Sequence, residues 1–167
     1  MAPAFEAVVL VEGITDRIAL EAAAQRLGRD LAAECVEIVP IGGAQAIRRV
    51  SARYEGERVV GLCDAPEEHW FRRVLGDAVY VCTVNLEDEL IRALGAARVE
   101  QIVAAEGDLE TLRNFQNQLA WRGRPVEGQL LRWMHNGNRH HRYPPLLLAA
   151  LEPDEIPRPL EAVLDAV

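Results

Sequence analysis

Lysine is absent from this chain of 167 residues, and all 18 basic side chains are arginine. That excludes Schiff-base chemistry, a lysine general base and the phosphate-binding G-x-x-x-x-G-K-[ST] loop of nucleotide hydrolases. Cysteine is scarce. Cys35, Cys63 and Cys82 are odd in number and form no C-x-x-C pair, which excludes a disulfide framework and argues against zinc. Each lies in or beside an apolar run and is expected to be reduced and buried, as in a cytoplasmic protein. Long hydrophobic runs are missing too. Ala7 to Val11 spans five residues and no positive patch precedes it in Met1 to Glu6, so neither a secretory leader nor a membrane span is expected. The net charge of −8 excludes a uniformly basic surface of the kind that holds nucleic acid by charge alone.

What is present is a packable composition, 50% hydrophobic and 26% charged, of a size suited to one domain. Short β-branched runs at 7–11, 36–41, 58–63 and 78–84 predict four strands. Their lack of polar alternation suits a sheet covered on both faces. Helical stretches at 15–27, 44–54, 67–75 and 87–94 separate them, and Gly28, Gly76 and Gly95 stand where C-terminal caps belong. Four β-α units in series predict a parallel α/β core over 1–95. From 96 to 167 the strand signal disappears. Helices are expected at 99–105, 109–121, 128–134 and 146–151, with Pro144 and Pro145 interrupting and later prolines breaking up the tail. This helical extension is expected to pack on the core within a single domain.

Charge is distributed unevenly. Residues 1–107 carry 18 acids and 11 arginines, 108–143 three acids and six arginines, and 144–167 five acids and one arginine. The basic middle segment gathers His135, Arg139, His140, His141 and Arg142, with Arg122, Arg124 and Arg132 nearby. It reads as a strip for a nucleic-acid backbone or as a solvated helix face.

Ligands of open parallel sheets bind at the carboxyl ends of the strands. Three of the four predicted strand ends deliver acids: Glu12 and Asp16 after the first, Asp64 with Glu67 and Glu68 after the third, and Glu87, Asp88 and Glu89 after the fourth. The second delivers Gly42-Gly43, a plain turn or a phosphate cradle. Crowded carboxylates raise one another's pKa values unless a cation sits among them, and an all-oxygen donor set suits Mg²⁺ or Mn²⁺. Acids at helix starts also stabilise the helix dipole, which explains Asp16, Glu67 and Glu87 individually. It explains Glu12 and Asp64, which end strands, less well. Trp70, Trp121 and Trp133 are expected to fill the core, with Trp70 lining a groove if exposed.

The ordered set Val11-Glu12-Gly13-x-x-Asp16, then Asp64, then Leu86-Glu87-x-Glu89-Leu90 resembles the Toprim domain. It is most similar to the Toprim half of OLD (overcoming lysogenization defect) nucleases. Gly137-Asn138-Arg139, Tyr143 and the later Ile156-Pro157-x-Pro159-Leu160 resemble the end of that half. The resemblance implies a four-stranded parallel sheet in the order 2-1-3-4 flanked by helices, with a helical C-terminal extension. It implies metal-dependent hydrolysis or nicking of nucleic acid, DNA ahead of RNA, alone or with a separately encoded ATPase. Glu12, Asp64 and Arg139 would be catalytic. Glu12, Asp16, Asp64, Glu87 and Glu89 would surround Mg²⁺ or Mn²⁺, and Arg132, Arg139, His140 and Arg142 would hold nucleic acid. No membrane association is implied, and a homodimer is left open. Two positions depart from the family: Pro66 stands where the second acid of an Asp-x-Asp pair is expected, and Arg139 where a late lysine is expected. These departures frame a second reading, a catalytically degenerate module that works by binding nucleic acid or protein. A phosphatase or phosphotransferase for small phosphates is a third.

Overall fold

The computed structural model describes residues 5–167; the part of the leader reading that concerns Met1 to Ala4 lies outside them. Four parallel strands, β1 (Ala7–Val11), β2 (Val36–Pro40), β3 (Arg58–Asp64) and β4 (Val79–Cys82), form one sheet in the order β2-β1-β3-β4. Register places Val11 opposite both Pro40 and Leu62. The carboxyl ends of the two central strands, β1 and β3, therefore finish side by side.

Alternation along each strand sends side chains to two apolar layers. Val8, Leu10, Cys63 and Val79 meet Ile47 and Val50 of α2 (Ile47–Ser51) and Phe71 of α3 (Glu68–Leu75) on one face. Val9, Val11, Ile38, Leu62 and Cys82 face the larger layer. That layer holds α1 (Ile14–Arg26), α4 (Leu86–Leu94), α5 (Ala96–Ala105), α6 (Leu109–Gln116), α7 (Val126–Met134), α8 (Arg139–Ala149) and α9 (Arg158–Asp165). Its buried residues run without interruption from β1 through Trp133, Tyr143 and Leu164. The C-terminal helices thus share the core of the sheet, and each fully buried Leu, Ile or Val contributes about 1.5–3 kcal/mol to it. Gly61 in β3 is fixed by close approach: a Cβ there would lie 2.6 Å from Phe71 Cδ1.

Several expectations need correction. Helix 109–121 stops at Gln116, after which Trp121 folds back onto Phe115 with ring centroids 5.1 Å apart. Pro144 and Pro145 do not interrupt a helix; α8 begins at Arg139 and runs through both. Their missing N–H groups forfeit two helical bonds near the helix start, while Pro144 gains a buried position. The tail is not broken by proline, since Pro157 and Pro159 stand at the start of α9, where the missing N–H removes no helical bond. Cys35 is exposed, in a turn with φ of 55°, whereas Cys63 and Cys82 are buried. No helix among the described residues is long and apolar enough to cross a membrane.

Candidate metal centre and nucleic-acid cleft

Three carboxylates meet at the carboxyl edge of the sheet, and the backbone holds each of them. Glu12 follows β1, and its Oε1 accepts the backbone N–H of Asp64 at 3.0 Å. Asp64 ends β3, and its Oδ1 accepts the N–H of Leu86, at the start of α4, at 3.2 Å. Asp16 lies in the first turn of α1, where its Oδ2 accepts the N–H of Gly13 at 2.9 Å. Among the described residues, no hydrogen bond engages the second oxygen of any of the three, and none is paired with an arginine. Capping therefore accounts for one oxygen of Asp16 and leaves the other available.

Electrostatics follow from this crowding. Burial pushes Asp64 up to about 8, helped by the charges of Glu12, Asp16 and Glu87 and opposed by the Leu86 bond. Burial also pushes Asp16 up to about 6, with Glu87 adding to it and the Gly13 bond opposing. Glu12 is raised by burial, then by Asp16 and Glu67, against the lowering effect of the Asp64 amide. Cys63 is pushed up to about 12, first by burial and then by Glu12 and Asp64. It stays a thiol and offers no thiolate ligand.

A cleft of about 530 Å³ opens over these groups, lined by Glu12, Asp16, Asp64 and Glu87 together with His135, His140 and His141. A second groove, lined by Arg49, Glu67 and Trp70, adjoins it through Glu12 and Gly43. Of the two acids beside Pro66, Glu67 faces this groove and acts on Glu12, while Glu68 is paired with Arg72 at 2.5 Å.

Other expected site residues lie elsewhere. Glu89 is buried, its Oε1 accepting the N–H of Thr83 at 2.7 Å and its Oε2 paired with Arg92 at 3.0 Å. Successive residues on a helix diverge by about 100°, so Glu87 reaches the cleft while Glu89 turns inward. Arg139 is withdrawn onto Trp133, its guanidinium 4.4 Å from the ring centroid and its Nε donating to the Trp133 carbonyl at 3.0 Å. Arg142 is tied to Glu106 at 2.6 Å and Asp108 at 2.9 Å. Arg132 is exposed and does not line the cleft. His140 does line it. The Gly42 and Gly43 amides both donate to the Glu12 carbonyl at 3.1 Å, so they lock the end of β1 instead of cradling phosphate. The cleft also contains Thr15 and Asn85, which the sequence did not single out, and His135 and His141, which were named only as members of the basic strip. A histidine cluster was visible there; which members face the acids was not.

Residues 5–57 match the family described as overcoming lysogenization defect protein-like, TOPRIM domain. They include β1, β2, Glu12 and Asp16. The C-terminal region of the Burkholderia pseudomallei OLD protein superposes with a TM-score of 0.71 at 16% identity, over 97% of this chain and 96% of that one. The corresponding region from Xanthomonas campestris pv. campestris gives a TM-score of 0.72 at 19% identity, over 98% and 92%. The fold is the Toprim fold of OLD-like type. No curated protein matches the chain.

The Toprim edge fits a hard divalent cation by its donor chemistry: oxygen ligands only, uncompensated charge and preset orientation. Among the described residues, no three His, Cys, Asp or Glu side chains stand close enough to ligate one ion as placed.

Proposed function

We propose that this Toprim domain is a divalent-metal-dependent nuclease that hydrolyses or nicks DNA or RNA, alone or with a separately encoded ATPase. The observation that carries this reading is the set Glu12, Asp16 and Asp64. Each is oriented by a backbone amide, none is neutralised by a guanidinium, and burial, with neighbouring acids adding to it, raises them all. Glu12 and Asp64, at the ends of adjacent strands, would hold Mg²⁺ or Mn²⁺, and Asp16 and Glu87 would supply further oxygens. When bound, the cation polarises a phosphoryl oxygen and activates water. The protein's own part is to fix those carboxylates on rigid strand ends and to present an open cleft for a polymer. Glu67 supplies negative charge on the groove side, next to the position where Pro66 carries no side-chain oxygen.

The test is nicking of supercoiled plasmid in Mn²⁺ by the wild type, Glu12→Ala and Asp64→Ala. Loss of nicking in both variants, each shown to be folded at the assay temperature, supports the reading; equal nicking by all three defeats it. Pro66, and the lack among the described residues of three side chains placed to ligate one ion, favour a second reading, a degenerate Toprim module that binds without turnover. It requires Mn²⁺ binding to be weak or absent. Calorimetric titration giving strong heat that disappears in Asp64→Ala decides against it.

A further inference from the structure

A nuclease of this kind needs, besides its carboxylates, a side chain that contacts the phosphodiester. The basic segment contains enough arginines, yet the fold commits them. Arg139 lies over Trp133, Arg142 is held by Glu106 and Asp108, Arg124 lies over Trp121, and Arg122 donates to the Asn117 carbonyl at 3.1 Å. The exposed Arg132 is outside the cleft lining. The donor side chains lining the cleft with the acids are instead Thr15, Asn85, His135, His140 and His141, of which Asn85 caps α4 by accepting the Asp88 N–H at 2.9 Å. His135 has its own partner, Glu87, with Nε2 and Oε2 3.6 Å apart.

We propose that His141 is the phosphodiester-contacting residue of the cleft, with Thr15 as the positioning residue that orients its ring. Thr15 stands in the first turn of α1, one residue before Asp16, and its hydroxyl is hydrogen-bonded to His141 Nδ1. This bond ties the α8 wall to the helix that carries a metal-site acid. With the hydroxyl donating, Nδ1 accepts and the ring proton sits on Nε2. That nitrogen has no partner among the described residues and can donate to a phosphate oxygen. The His140 ring packs against His141 at a tilt of 46°, with centroids 3.7 Å apart. It is itself anchored, its Nδ1 donating to the Gly137 carbonyl at 2.7 Å. The ring that meets the substrate is therefore held on two sides, the preorganisation a binding contact needs. The ligand is a sugar-phosphate backbone, and DNA and RNA share that chemistry.

The proposal rests on the nuclease reading, and the experiment separates the two. Fluorescence anisotropy follows binding of a labelled DNA duplex, and of an RNA duplex of the same sequence, in Ca²⁺. Mn²⁺ affinity is measured by calorimetry in parallel. One hydrogen bond to a charged phosphate predicts about a tenfold loss of affinity in His141→Ala on the preferred polymer. Thr15→Val should lose several-fold, Thr15→Ser should restore wild-type binding, and Mn²⁺ affinity should be unchanged in all three. Wild-type affinity in His141→Ala on both polymers overturns the assignment and leaves the nuclease reading standing. A parallel loss of Mn²⁺ affinity also overturns it, by showing that His141 only supports the metal edge. Wild-type protein that neither binds nor nicks either polymer overturns both.

Discussion

Asp64→Asn should make this protein more stable at alkaline pH, even though it removes a residue assigned to the metal. The amide keeps an acceptor for the Leu86 N–H but discards the charge that Glu12, Asp16 and Glu87 repel. The sign follows from proton uptake. In the unfolded chain Asp64 ionises near pH 4, whereas in the folded protein it holds its proton to about 8. Between those values the folded state binds the extra proton, so stability falls as pH rises. At about 1.4 kcal/mol per pH unit the full interval corresponds to roughly 5–6 kcal/mol. Water and counterions in the open cleft screen the mutual repulsion, bringing the realised loss to about 2–3 kcal/mol. For a domain of this size that is a melting-temperature difference on the order of 5–10 °C. Thermal unfolding in metal-free buffer from pH 4 to pH 9 measures it. Wild type should fall steadily behind Asp64→Asn above pH 5, and Mn²⁺ should return the lost stability to the wild type alone. Parallel melting curves across the whole range would show that the edge carries no electrostatic strain.

Three further outcomes test particular contacts. Gly61→Ala should destabilise by about 1–3 kcal/mol, measured by urea unfolding, because the new methyl meets Phe71 in a packed layer. Glu89→Ala should cost about 1–3 kcal/mol by stranding the Thr83 N–H and freeing Arg92, while calorimetric Mn²⁺ affinity stays at the wild-type value. Arg139→Ala should lower the melting temperature through loss of its stacking on Trp133, and plasmid nicking per folded molecule should remain within a few-fold of wild type.

Much of the core is legible in the sequence because its signals are local. A β-branched run bounded by glycines encodes a strand, and successive β-α units leave a right-handed parallel connection as the expected arrangement. The strand order, and with it the placement of Glu12 beside Asp64, was an implication of the Toprim resemblance that the structure matches, since right-handed connections alone leave several orders open. The C-terminal helices are less legible because proline has opposite meanings at different helix positions. Pro157 opens α9, whereas Pro144 and Pro145 are carried inside α8, and no local pattern distinguishes the two cases.

Acid type and spacing along the chain determined where negative charge would gather: strand ends converge at one edge whatever the rest of the molecule does. Only the tertiary structure decided which groups remain available there. Glu89 and Arg139 have the chemistry for the site but are drawn away by Thr83 and Arg92 in one case and by Trp133 in the other. His141 reaches the cleft because α8 packs across α1, more than a hundred residues away in sequence. Side-chain partnership depends on distances between remote segments, and a linear sequence carries no direct record of those distances.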